Sequence, residues 1–152
     1  MSSYLVMGVI GALITGLAIG AQSTLSSRVG TIIGSIRTGL LTNLMGGTIA
    51  GLILVVLLVI NGKEYIKIPA VAVLLLVIAG ALGIMIITGV AFSLQRAGVA
   101  AGLATIILGQ MVISLVADAR GWGGAEPIPV TLPRILGLLI MAAGVYLLLP
   151  KR

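Results

Sequence analysis

The chain has 152 residues, 60% of them hydrophobic and 8% charged, with a mean hydropathy of +1.33, against about 45–50% apolar and about 25% charged in soluble domains. Such a composition belongs to an integral membrane protein, and the length suits one domain, 1–152. Without cysteine there is no disulfide framework, and without histidine and with only Glu64, Asp118 and Glu126 as acids a metal centre is hard to assemble, so no metal or cofactor is expected. The usual general base is missing too, and no nucleophile elbow, HExxH or P-loop pattern occurs, so the chain does not read as an enzyme. The net charge of +6 comes from lysines and arginines standing singly between apolar runs. These read as anchors at helix ends rather than a nucleic-acid-binding face.

Charge-free stretches cover residues 1–27, 38–62, 68–95, 97–117 and 135–150. The first four exceed the ~20 residues that a helix rising ~1.5 Å per residue needs to cross ~30 Å of hydrocarbon. Hydrocarbon cannot satisfy free backbone groups, and no alternating pattern suggests a barrel, so the fold class is an all-α membrane protein with five transmembrane helices. The spacing predicts spans over about 4–28, 38–61, 69–94, 98–118 and 133–150.

The first run is longer than a signal-peptide core and has no basic segment before it, so it is expected to be a retained span. Between spans one and two, "TIIGSI" is apolar enough to stay near the interface, and the first helix is expected to extend to about Val29. Gly62, a cluster of charges and Pro69 break the chain after span two; the Gly- and Pro-rich "RGWGGAEPIPVTLP" separates spans four and five. The fifth run, 135–150, is only about 24 Å long at ~1.5 Å per residue, and needs Arg134 to reach for the headgroups or the preceding segment to contribute.

Five spans place Lys63, Lys67, Arg120 and Arg134 on the side of the N-terminus and Arg28, Arg37, Arg96, Lys151 and Arg152 on the other. Orientation is set by asymmetry in such charges, and four against five leaves almost none. The expectation is dual topology: copies insert both ways and pair antiparallel, generating the inverted symmetry that many transporters build from internal repeats.

Glycines fall inside the spans. Gly8, Ala12, Gly16 and Gly20 recur every four residues, as do Gly39, Asn43, Gly47 and Gly51, and small faces let helices approach closely in lipid. Embedded hydroxyls can bond back to a carbonyl one turn earlier. Amides are more telling, because an unpaired one in hydrocarbon costs several kcal/mol, so Gln22, Asn43 and Gln110 are expected to face protein or water. Gln110 falls near the middle of span four, at the depth where transporters bind substrate. At ~100° per residue Ser114 and Asp118 lie about 40° and 80° round from it, on one quadrant of the helix. Asp118 comes at the helix end, where a neighbouring cation such as Arg120 can pair with it.

The segments "GAQSTLSSRVG", "NLMGGTIAGL", "GQMVISLVADARGWGG" and "RILGLLIMAAGVYLLL" resemble the YdcZ-like family of half-size transporters in the drug/metabolite transporter superfamily, over nearly the whole chain. The resemblance carries Gln22, Arg28, Gly30, Gly109, Gln110 and Asp118 over to positions of the family pattern. It departs where Ser26 and Ser27 stand in place of a frequent Asn and Ala119 in place of a frequent His, so no proton-coupling role comes over from that last position. The related small multidrug-resistance exporters keep a glutamate in their first helix; this chain has no carboxylate there, which favours a neutral or zwitterionic substrate, or an anion drawn to Arg28 or Arg96.

The resemblance implies a multi-pass protein of the bacterial inner (plasma) membrane with a half-size fold completed by dimerisation. The expected function is secondary transport of small metabolites by alternating access as an antiparallel homodimer. Gln22, Asn43, Gln110 and Ser114 are the expected substrate-binding residues, and Asp118 and Arg28 the gating or coupling residues. A small membrane subunit that scaffolds a paralogue, or a passive channel, is the alternative. The expected partners are a second copy or a paralogue, the lipid bilayer and an unknown small solute.

Overall fold

The structure, a computed structural model, describes residues 3–62, 67–122 and 126–150. Lys63, Lys151 and Arg152, three of the charges in the topology balance, lie outside them. The described residues form five α-helices: α1 (Ser3–Ile33), α2 (Ser35–Asn61), α3 (Ala70–Ala97), α4 (Val99–Arg120) and α5 (Leu132–Leu148). The first four are long and apolar enough to cross a membrane. The fifth, with 17 residues, reaches only about 26 Å at ~1.5 Å per residue.

The chain divides into two compact units, 1–92 and 93–152. In the first, α1 packs on α2 and α2 meets α3. In the second, the end of α3 leads into α4, and α5 packs on α4.

The first helix runs on to Ile33, beyond the expected Val29, because nothing in "TIIGSI" opposes helix until a single glycine breaks it. Gly34 has φ 85° and ψ 153°, a region that only glycine enters without strain. One residue therefore joins α1 to α2. Gly98, at φ 80° and ψ 160°, joins α3 to α4 in the same way. The helix restarts at once after each: Thr38 N–H donates to Gly34 O at 3.1 Å and Gly102 N–H to Gly98 O at 3.0 Å.

Burial is sparse and selective. Among the described residues the buried apolar ones are Val90, Ala91, Leu94 and Ala101, while side chains such as Leu17, Val59 and Ile140 are exposed by 77%, 81% and 72%. Lipid solvates leucine as well as a protein core does, so large side chains face outward and small or polar ones make the helix contacts. On α1 the buried residues Ser23, Ser26, Ser27 and Gly30 form one stripe at helical spacing.

The second series is used in packing at Gly39 and Asn43, while Gly47 and Gly51 have open space around them. A Cβ on Gly39 would strike Thr88 Oγ1 and come within 2.9 Å of the Ile84 carbonyl, and one on Gly83 would lie 2.9 Å from Asn43 Oδ1. These contacts hold α2 against α3. The first series, by contrast, has open space around Gly8, Gly16 and Gly20, so that face is not used within the described residues.

Candidate functional site

The α4–α5 pair owes its geometry to how α4 ends. Gly121 takes the left-handed conformation, φ 64° and ψ 24°; its N–H donates to Asp118 O at 3.2 Å and that of Trp122 to Ala117 O at 3.0 Å. This is the Schellman arrangement, which satisfies carbonyls left over at a helix end. The Asp118 carbonyl also accepts the Ile128 N–H at 2.9 Å, which draws the returning loop across the end of α4. Pro133 then sits in the first turn of α5, where its missing N–H costs nothing.

The returning chain sets Arg134 beside Asp118. Arg134 Nη2 donates to Asp118 Oδ2 at 2.9 Å, with side chains 32% and 44% exposed respectively. Each charge sits at the unfavourable end of its own helix dipole, but beside the favourable end of its neighbour's: Asp118 next to the first turn of α5, Arg134 next to the last turn of α4. Arg134 Nη1 is shielded and has no hydrogen-bond partner among the described residues. Arg120 does not join this pair; its guanidinium carbon lies 5.1 Å from the centre of the Trp122 ring, a cation–π contact.

Behind the pair lies a cavity of about 480 Å³, with Met111, Ser114, Leu115 and Asp118 on α4 and Arg134, Leu138 and Met141 on α5. That volume is in the range of small-molecule sites, ~300–1,000 Å³, and the makeup fits as well: mostly apolar walls with a few convergent polar groups. A second cavity, of about 720 Å³, opens between α2 and α3 beyond their point of contact, lined by Leu40, Asn43, Gly47, Ala50, Gly80 and Ile84 among others.

The expected site residues fall into three groups. Ser114 and Asp118 line the first cavity. Asn43 lines the second, and its Nδ2 donates to Gly39 O at 2.8 Å, the same one-turn back-bond that Thr15, Thr24, Thr38, Thr48 and Thr105 make with their hydroxyls. Asparagine is short enough for its amide to do this, with Oδ1 facing Gly83. Gln22, Gln110 and Arg28 are exposed.

The two glutamines stand in matching places. Gln110 precedes the cavity stripe Met111, Ser114, Leu115, Asp118, and Gln22 precedes the buried stripe Ser23, Ser26, Ser27, Gly30. At ~100° per residue each lies about 90° off the centre of its stripe, on the flank of the helix. Neither makes a side-chain hydrogen bond among the described residues. Gln110 is thus not brought into the cavity with Ser114 and Asp118.

Arg134 is the residue that the sequence reading missed as a site, taking it for a headgroup anchor. The available signal was positional: Asp118 and Arg134 close the same loop from the facing ends of two consecutive helices.

A family model described as "Putative inner membrane exporter, YdcZ" matches residues 7–147. No curated protein and no solved structure matches the chain. With nearly its whole length matched and four helices able to cross a membrane, the chain belongs to the YdcZ family of multi-pass inner-membrane proteins, whose description is that of an exporter.

Proposed function

We propose that the protein is a secondary carrier of small metabolites that works by alternating access as an antiparallel homodimer. The observation that carries this reading is the α4–α5 cavity, with opposite charges at one end and apolar walls beyond them, in a chain whose described helices carry no acid other than Asp118. Ser114 supplies a hydroxyl to the solute inside the cavity, and Asp118 gates it through its bond to Arg134. Asn43 shapes the α2–α3 cavity, and Arg28 is a coupling charge at the far end of α1.

The dimer is supported by what the single chain leaves unsatisfied. Gln22 and Gln110 present unpaired amides on outward flanks, which hydrocarbon does not tolerate cheaply, and the Gly8–Gly16–Gly20 face packs on nothing within the described residues. A second copy, inserted the other way as the near-even charges allow, supplies partners for both. Gln22 and Gln110 then contact substrate from the dimer interface.

Reconstitution in proteoliposomes tests this, with currents or tracer uptake recorded across a metabolite panel. The carrier predicts saturable, substrate-dependent flux that falls with Gln110→Ala; unsaturable flux identifies a channel instead, and silence across the panel identifies a scaffolding subunit. Reporter tags at the C-terminus should appear on both sides of the membrane, and a single exclusive side contradicts dual topology.

A further inference from the structure

The geometry points to the α4–α5 cavity as the binding site for a small zwitterion with an apolar body, of the α-amino-acid class, whose carboxylate takes Arg134 and whose ammonium takes Asp118. Naming this ligand a transported substrate rests on the carrier reading above; the binding itself does not. Three observations support the assignment.

The first is an unmet donor. A guanidinium offers five N–H groups in a planar fork suited to carboxylate oxygens. Asp118 takes only Nη2, at 2.9 Å, and Nη1 is shielded with no partner among the described residues. A buried donor without an acceptor is costly, and a ligand carboxylate that turns the guanidinium so that Nη1 leaves its shielded position and donates to it removes that cost.

The second is the charge balance. As it stands the pair is neutral. A plain anion on Arg134 would leave Asp118 without its counter-ion, and a plain amine on Asp118 would leave Arg134 without its own. A zwitterion exchanges partners with both at once and leaves the net charge unchanged. Asp118 has the freedom to take part, its side chain being 44% exposed.

The third is the wall chemistry. One turn and two turns below Asp118 on α4 lie Ser114 and Met111, and across from them Leu138 and Met141. Methionines, unbranched and polarisable, adapt to apolar groups of differing shape. The ligand's side chain lies among them, and Ser114 meets its polar head.

Equilibrium binding to the purified full-length chain in lipid nanodiscs tests this, by calorimetry with L-leucine, L-methionine and L-phenylalanine as probes. For comparison, 4-methylpentanoate lacks the ammonium of leucine and 3-methylbutylamine lacks the carboxylate. At least one amino acid should bind saturably, with each truncated analogue of leucine about tenfold or more weaker than leucine itself. Asp118→Asn and Arg134→Gln should each weaken binding to a similar degree. Leu138→Trp fills the apolar part without touching either charge and should abolish binding while the unfolding temperature stays near that of the parent.

Absence of saturable binding by all three amino acids overturns the assignment. So does equal binding of the truncated analogues, or undiminished binding to a folded Leu138→Trp protein. If these probes fail to bind while another metabolite drives saturable flux, this site is wrong and the carrier stands; if they bind at this site without flux, the site stands and the carrier reading falls.

Discussion

Arg134 Nη2 sits 2.9 Å from Asp118 Oδ2, joining the first turn of α5 to the last turn of α4 across 16 positions of sequence. Both ends of the bond are partly open to the surroundings, so its direct worth is modest. In a double-mutant cycle with Asp118→Asn and Arg134→Gln, thermal unfolding in detergent should give a coupling energy of about 0.2–1 kcal/mol, the size found for exposed pairs. Coupling indistinguishable from zero would mean that the two charges do not act on each other.

Gly39 is the tightest approach of α2 to α3. Gly39→Ala should destabilise the protein by about 1–3 kcal/mol, as overpacking does, because the new methyl meets Thr88 Oγ1 and the backbone carbonyl of Ile84. Thr88→Ala should restore part of that loss but not all, since the carbonyl cannot be trimmed. Gly11→Ala, with open space around it, is the control and should be neutral or slightly stabilising. Equal unfolding temperatures for Gly39→Ala and Gly11→Ala would refute the contact.

Gly34 makes a prediction of a different kind, since nothing lies within 4 Å of a Cβ placed there. The obstacle is the backbone: at φ 85° an L-residue is strained, and Gly34→Ala should cost about 1–3 kcal/mol or force the junction between α1 and α2 to rearrange. Gly98→Ala should behave alike. Unchanged unfolding curves for both would contradict the two single-residue junctions.

The absence of cysteine makes the dimer proposal easy to probe. A single-cysteine Gln110→Cys variant, placed at the middle of α4 where an antiparallel pair brings a residue to the depth of its own copy, should form disulfide-linked dimers in oxidised membranes, whereas Ile140→Cys, on a side chain facing lipid, should stay monomeric. Cross-linking at Ile140 alone would place the interface elsewhere.

Much of the fold was legible because membrane helices announce themselves: uncharged runs between single basic residues mark where α1 to α5 lie. Less legible was where one helix gives way to the next. Nothing in the run "TIIGSIR" distinguishes a short interfacial loop from a helix broken at one residue, because the distinction rests on a single glycine torsion. The candidate site was half visible. Ser114 and Asp118 share a helix, so their common face follows from spacing alone. Arg134 joins them only once the loop has folded back over α4, and the face that α4 offers to α5 decides that Gln110 stays outside. Asn43 shows a local limit of the same kind: that its amide satisfies itself on Gly39 O is a matter of side-chain reach, which composition does not reveal.

The carrier reading is tested most directly by counterflow. Proteoliposomes preloaded with an unlabelled solute that the protein transports are diluted into a trace of the same solute in labelled form. An alternating-access carrier predicts transient accumulation of label above the outside concentration, rising with the internal load to a plateau and reduced in Gln110→Ala. Label that only equilibrates, whatever the internal load, would contradict the account.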